Sequence, residues 1–451
     1  MCGVGGLIGH ELTRQGEEKS MDQNQNNGNQ AFFDLGNNVF IEAGFEVSYP
    51  KAVSIGELTY IQKDCFFNIP NEQDAGFPKI EIQENCSIGK RCVISAVNRV
   101  ILEDRVILGA NVHVSDHDHE YREVGVPIMF QGATVLDATV TIGRGSWIAN
   151  NGVIIGDVHI GRGCVVGANS VVTGDIPDYC VAVGSPARVI KCFDPVTGTW
   201  LRVRDQGHLT QVLRQRQQQK PVLSVCVLTD GDLAAFETCM SVLCKDAGND
   251  RMLDIVVCDN GADKAVTGTA QAFCSAFDNV RLVQDTTAEE FDRRYLRALA
   301  QAKGEFVTVI EDKDGFAHNG VYHILHALFG NRTCSVLLSQ NVNQMFSYQT
   351  GSGWGNYANH LFPHTYEPFR VTFQTQLVNG IADKARKAGT GCSHLFLQYR
   401  CLSAGQAYCI ATGIIFMDHG AETAGTDRGR SMEQCRAFVE SLSAGETEKA
   451  E

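Results

Sequence analysis

The chain has 451 residues, 44% apolar and 20% charged, with a formal net charge of −14, enough length for two or three domains with cores of their own. That charge argues against a broad nucleic-acid surface, which needs clustered Lys and Arg, and against adhesion to anionic lipid. No stretch approaches the roughly 18–20 apolar residues of a membrane helix, and "MCGVGGLIGH" lacks the basic start of a secretory signal. Seventeen cysteines without a CxxC pair or Cys/His grouping read as reduced, buried thiols of a cytoplasmic protein without structural zinc.

Residues 1–34 include the polar, low-complexity "HELTRQGEEKSMDQNQNNGNQ", which has no face to bury and reads as a mobile N-terminal extension. From residue 35 a period of six begins, with aliphatic residues at Leu35, Ile41 and Val47, then Ile55 and Ile61. It resumes at Ile82, Ile88 and Ile94, then at Leu102, Leu108 and Val114, and runs unbroken through Leu136, Ile142, Ile148, Ile154, Ile160, Val166 and Val172. A helix needs a period of 3.6 and a simple strand a period of 2, so six points to a parallel β-solenoid of short strands and tight turns. The aliphatic starter points inward, a small or β-branched residue follows four places on, and Gly or Asn next to the starter is expected to supply corners with positive φ. The step from Ile94 to Leu102 carries two extra residues and that from Val114 to Leu136 sixteen. The longer excursion holds "VSDHDHEYREVG", and a loop ejected from a rigid stack is where function is expected.

Residues 35–195 are therefore read as the solenoid, and 196–220, with Leu/Val spacing before an Arg/Gln-rich run, as a helical linker. After Pro221 strands alternate with helices: "VLSVCVLT", then "AAFETCMSVLCKDA", "LDIVVCDNGAD", "AEEFDRRYLRALAQAKG" and "EFVTVIEDKDG". This order predicts a largely parallel, Rossmann-like sheet over 221–440, followed by a tail at 441–451. Ligands in such sheets lie at the carboxyl ends of strands, where Asp230, Asp259, Asp312 and Asp314 fall. The aromatic stretch "QTGSGWGNYANHLFPHTYEPF" offers either core or a surface for stacking a sugar.

The hexads, with "IGRGSWIANNGVIIGDVHIGRGCVVGANSVVTGDIPDYCVAVGSPARVIK", resemble the left-handed parallel β-helix acyltransferases, in the branch of maltose, galactoside and polysaccharide O-acetyltransferases. The resemblance covers about residues 35–193. It implies a homotrimer, acetyl-CoA as cosubstrate in the groove between prisms, and a histidine on the ejected loop as general base. His117 stands at that position, with His119 as competitor; Asp116 or a backbone carbonyl would fix its tautomer. An imidazole with a pKa of roughly 6.5 can take a sugar hydroxyl's proton near neutral pH. By the same resemblance Trp147 lines the CoA groove, Asn150 and Asn151 lie near the thioester, Ala168 and Thr173 meet the pantetheine arm, and Arg188 and Lys191 meet CoA phosphates.

"SVCVLTDGD", "DIVVCDNGAD" and "AKGEFVTVIEDKDGF" resemble family 2 glycosyltransferases of the GT-A fold over about residues 221–330. The resemblance implies a nucleotide-sugar near Asp230 and Asp259, and Mn²⁺ or Mg²⁺ on Asp312 and Asp314, or on Glu311 with the register displaced by one, since hard oxygen ligands suit those ions. Two departures stand out. The first strand ends Leu228-Thr229-Asp230-Gly231, and Ser393-His394 replaces an expected acidic pair, leaving His394 as the candidate base. The expectation is thus an O-acetyltransferase acting on a sugar or glycan hydroxyl, with an amino-sugar nitrogen as second choice. Its fused domain is either a glycosyltransferase of polysaccharide assembly or a non-catalytic glycan-binding or scaffold module.

Overall fold

The computed structural model describes residues 32–70, 76–133, 137–284, 291–316, 319–340, 347–354, 356–357, 371–388, 393–403, 406–412, 437 and 440–441. The polar N-terminal extension up to residue 31, Leu136 and nearly all of the tail lie outside them. The chain forms two compact units, one ending at Cys192 and taking in 202–204, the other made of 193–201 and everything from Asp205.

The first unit is a three-sided parallel β-helix. Strands of two to four residues stack so that each sheet takes every third strand along most of the chain. The starters then fall into three ladders, one per sheet. Leu35, Ile55, Ile82, Leu102, Ile142 and Ile160 are in register on the first. Ile41, Ile61, Ile88, Leu108, Ile148 and Val166 form the second. Val47, Phe67, Ile94, Val114, Ile154 and Val172 form the third. From Ile55 onward every one is at most 1% exposed, whereas Leu35, in the first coil, is 48% exposed.

The residue two places before the starter also faces inward, and where it is Cys, Ser or Thr its hydrogen-bond donor links successive coils. Cys65 Sγ donates to the Gly89 carbonyl (3.2 Å), Cys86 Sγ to Glu103 (3.2 Å) and Cys92 Sγ to Gly109 (3.0 Å). Ser146 Oγ and Thr59 Oγ1 do the same to Gly161 (2.8 Å) and Gln83 (3.1 Å). A thiol or hydroxyl here satisfies a corner carbonyl that would otherwise be buried unpaired. Among the described residues every cysteine is free, and all but Cys258 and Cys274 are buried.

Gly and Asn divide the corner work differently from the sequence expectation. The positive φ falls three places after the starter, on Gly145 (67°) and Gly163 (61°) and on asparagines such as Asn111 (58°), Asn151 (60°) and Asn169 (58°), whose short polar side chain tolerates the left-handed region. Their amides form a column, Asn111 to Asn151 at 2.9 Å and Asn151 to Asn169 at 3.0 Å. The glycine after the starter is needed instead for close stacking: a Cβ on Gly109 would lie 2.7 Å from the Asn150 backbone nitrogen.

Residues 196–220 are helical only over Gln206–Gln218, capped by the Asp205 side chain; Thr199–Arg202 is a strand. The second unit carries an eight-stranded sheet. Strands Val280–Gln284, Leu253–Asp259, Leu223–Thr229 and Phe306–Glu311 lie side by side and parallel. Beyond them Val371–Gln374 runs antiparallel to both Phe306–Glu311 and Val336–Gln340, so the sheet is parallel over its first four strands and mixed beyond them. The inner three of these, Leu253–Asp259, Leu223–Thr229 and Phe306–Glu311, are buried along nearly their whole length, which is why they read as continuous apolar runs. Trp354 (6% exposed) and Tyr357 (buried) sit in the core with Tyr399 and Tyr408, so these aromatics are core and not a sugar platform.

Candidate active site

The ejected loop of the first unit begins where strand His113–Ser115 ends. Asp116, 0% exposed, directly follows. Its Oδ1 accepts from the Val97 backbone N–H (2.9 Å), and its Oδ2 from those of Asn98 and Arg99 (both 2.7 Å). These three amides belong to the turn made by the two extra residues between Ile94 and Leu102. That phase slip was the signal for the cradle, and sequence reasoning did not connect it to Asp116.

Asp116 Oδ1 also lies 2.7 Å from His117 Nδ1. Ser115 Oγ donates to the His117 carbonyl (2.7 Å) and stands 3.3 Å from Nδ1, closing the turn that aims the imidazole. The His117 side chain keeps 17% of its surface open. His119 is fully on the exposed side of the loop and bridges to Ala133 through the backbone. Gln131 ties the rest of the loop, accepting from Glu123 N–H at 3.0 Å and donating to the Val126 carbonyl at 2.7 Å. Beyond it Val124, Met129 and Phe130 are exposed.

His113 was not anticipated. It precedes the starter Val114, so the alternation of the strand turns it outward. Burial and the charge of His117 hold its imidazole below the usual value.

The remaining candidates of this unit stand on corners and outer faces. Trp147 is 47% exposed and pairs with Ile107, 49% exposed, and with Val165 on the outer ladder of the second sheet. Asn150 Oδ1 accepts from the Ala110 backbone at 2.9 Å, and Asn151 belongs to the amide column, so both have stacking duties. Ala168, Thr173, Arg188 and Lys191 are exposed; Arg188 Nη1 donates to the Ala187 carbonyl (2.8 Å) and Lys191 pairs with Val181 on the strand that closes the prism.

In the second unit the carboxyl ends of Leu223–Thr229 and Phe306–Glu311 meet where the strand order reverses, the position at which open α/β sheets bind ligands. Asp312 is buried there, hydrogen-bonded to the Thr229 hydroxyl. Burial pushes its carboxyl above the usual range, and Asp230 adds to the shift. Its Oδ2 has no hydrogen-bond partner among the described residues. Asp230 is ion-paired with Arg294, which also donates to the Thr229 carbonyl at 2.9 Å. Asp259 is bound into its own turn, accepting from Gly261 N–H (2.8 Å) and Thr267 Oγ1 (2.5 Å). A cleft of about 570 Å³ beside it is lined by Asn260, Gln284, Arg294, Arg297 and Gln301 among others.

Among the described residues no three His, Cys, Asp or Glu side chains come together as metal ligands. With Asp230 turned to Arg294 and the Asp314 side chain outside the described residues, no step is derived through Mn²⁺ or Mg²⁺. His394 is only 6% exposed, its ring 6.4 Å from that of Tyr295. Ser393 donates to Asp292 (2.9 Å) at the start of the helix Ser393–Leu402.

Residues 79–115 and 139–174 match the family described as the hexapeptide repeat of succinyl-transferase. The N-terminal unit is a hexapeptide-repeat prism. The two matched blocks flank the loop that carries His117. A curated "Probable acetyltransferase" of Mycobacterium tuberculosis is 36% identical over 104 residues, which are 23% of this chain and 34% of that protein. The chain thus spans about a third of the length of that relative. Similar solved structures include AntD, an N-acyltransferase from Bacillus cereus in complex with dTDP and 3-hydroxybutyryl-CoA, at 20% identity, TM-score 0.31, over 42% of this chain and 93% of that one. A galactoside acetyltransferase in complex with coenzyme A is 26% identical, TM-score 0.27, over 39% and 74%. No described helix is long and apolar enough to cross a membrane.

Proposed function

We propose that the N-terminal unit transfers an acetyl group from acetyl-CoA to a sugar or glycan hydroxyl, with His117 as general base. The observation that carries this reading is the Asp116–His117 pair on the loop between the two repeat blocks. With Nδ1 donating to Asp116, the imidazole keeps its Nε2 lone pair for the acceptor. Nε2 takes the hydroxyl proton as the oxygen attacks the thioester carbonyl. The tetrahedral intermediate expels CoA, and the thiolate recovers the proton from the imidazolium. An amino-sugar nitrogen is the second acceptor, and the same base serves it.

In this reading Trp147 beside Ile107 offers an apolar strip for the pantetheine arm, which Ala168 and Thr173 also meet, while Asn150 and Asn151 lie near the thioester. Arg188 and Lys191, both exposed, then supply the cations for CoA phosphates. Self-association into a trimer is supported by the apolar outer ladders, which leave Phe40 and Ile107 exposed. A turnover assay with acetyl-CoA and a panel of sugars tests the reading; binding of acetyl-CoA without acyl transfer to any hydroxyl or amine would overturn it.

For the second unit we favour the non-catalytic, glycan- or nucleotide-sugar-binding reading, because the one candidate base, His394, is buried. Calorimetry with nucleotide-sugars, with and without Mn²⁺, on wild type and Asp312→Asn separates the two readings. Metal-dependent binding lost in the variant would restore the glycosyltransferase, while metal-indifferent binding supports a binding module.

A further inference from the structure

At the opposite end of the second unit's sheet, where Leu223–Thr229 and Phe306–Glu311 begin, lies a cleft of about 1500 Å³. Lys220, Lys303 and Arg332 line it, with Glu305 as the lone acid among its lining residues. In a chain of net charge −14 this is a local surplus of positive charge. The first turn of the helix Thr375–Ala388 also faces it, through Thr375, Gln376 and Asn379, and a helix N-terminus favours anions.

Unpartnered polar atoms line the same cleft. Thr375 is 8% exposed, and its Oγ1 has no hydrogen-bond partner among the described residues. Its backbone N–H is taken by the Glu305 carbonyl at 2.9 Å. Arg332 spends Nε and Nη2 on the Glu305 carboxylate (3.0 and 2.5 Å), and its Nη1 is buried without a partner. Gln219 donates to Asp194 at 3.4 Å while its Oε1 is left over. Lys303 sits on an anchored loop, since the N–H groups of Lys303 and Gly304 donate to Ser224 Oγ at 3.0 and 2.8 Å.

We propose that this cleft binds a phosphate group, free or as a monoester. A carboxylate is best met by the planar fork of an arginine, but the Arg332 fork is already on Glu305. What remains are point donors from several directions: two ammonium groups, Nη1, the Thr375 hydroxyl and the helix end. A tetrahedral oxyanion, with three terminal oxygens in a monoester and four in the free ion, suits that set. Gln219 Oε1, the one leftover acceptor, suits a hydroxyl of the esterified group. The site lies away from the acid-bearing strand ends and does not depend on acyl transfer.

The test is calorimetric titration of the full chain with inorganic phosphate and, separately, glucose 6-phosphate, at constant ionic strength. Chloride and acetate serve as controls. Saturable binding of phosphate or the ester is expected, weakened about tenfold in Lys220→Ala/Lys303→Ala, whose exposed side chains leave folding alone, and again in Thr375→Val. Tighter binding of the ester marks an ester site; equal binding marks a site for the free ion. Phosphate no better than chloride at equal ionic strength, or an undiminished affinity in the double lysine variant with an unchanged melting temperature, overturns the proposal.

Discussion

Asp116 and His117 are consecutive in the chain and hydrogen-bonded to each other, carboxylate Oδ1 to imidazole Nδ1 at 2.7 Å. Such neighbours rarely meet along a strand, where successive side chains point apart. They meet here because the chain leaves the prism between them, and because backbone amides of residues 97–99 hold the carboxylate in place.

His117→Ala is expected to lower the acyl-transfer rate by about 10²–10⁴-fold while acetyl-CoA binding stays near wild type. His119→Ala should remain close to wild type. Asp116→Asn keeps the shape but offers the wrong partner to Nδ1, so its loss should appear in kcat more than in KM. Steady-state kinetics on the three variants checks this, and the reverse order of losses would hand the base role to His119.

Ile154 and Ile160 are 0% exposed. Aspartate at either should unfold the prism, since an unpaired buried charge costs several kcal/mol. Aspartate at His159, exposed between Val158 and Ile160, should be tolerated. Circular-dichroism melts of the three variants distinguish inward from outward positions, and a folded Ile160→Asp would contradict the ladder assignment.

Burial pushes the Cys86 thiol from 9.0 up to about 12, so the fold keeps it protonated as the donor to the Glu103 carbonyl. The unfolded chain loses that proton first. The thiol's stabilising contribution is therefore fully present below pH 9 and lost as pH rises toward 12. Urea unfolding from pH 8 to 11 should show falling stability, with a shallower fall in Cys86→Ser if the hydroxyl replaces the thiol without titrating.

Asn151 holds φ at 60° and two amide hydrogen bonds in the column. Asn151→Ala should cost roughly 1–2 kcal/mol from the left-handed backbone alone, with more from the lost amides. Asn151→Gly should recover the backbone part. Denaturant midpoints measure the difference, and equal losses in the two variants would mean that the amides alone matter.

The prism was almost fully legible because each coil contacts only its neighbours, so the pattern in sequence is the pattern in space. Phe67, which completes the third ladder, escaped because it is aromatic in a series of aliphatics. The Asp116 cradle escaped because its amides come from the preceding coil, about twenty residues earlier. In the second unit the strands were read from their apolar runs. The insertion of Val371–Gln374 between Phe306–Glu311 and Val336–Gln340 was not, since it is a pairing between segments far apart in the chain. The burial of His394 likewise depends on the packing of one helix on another, which composition does not encode.

The three ladders also fix how this chain can change in length. Ile142 pairs with Ile160, eighteen residues on, so a whole coil can be gained or lost while every later residue keeps its face. Loss of a single hexad would turn the rest of the prism by a third of a revolution, moving every later strand onto a different sheet. Viable insertions and deletions in this unit should therefore come in full coils, or as bulges at the corners like the one that cradles Asp116.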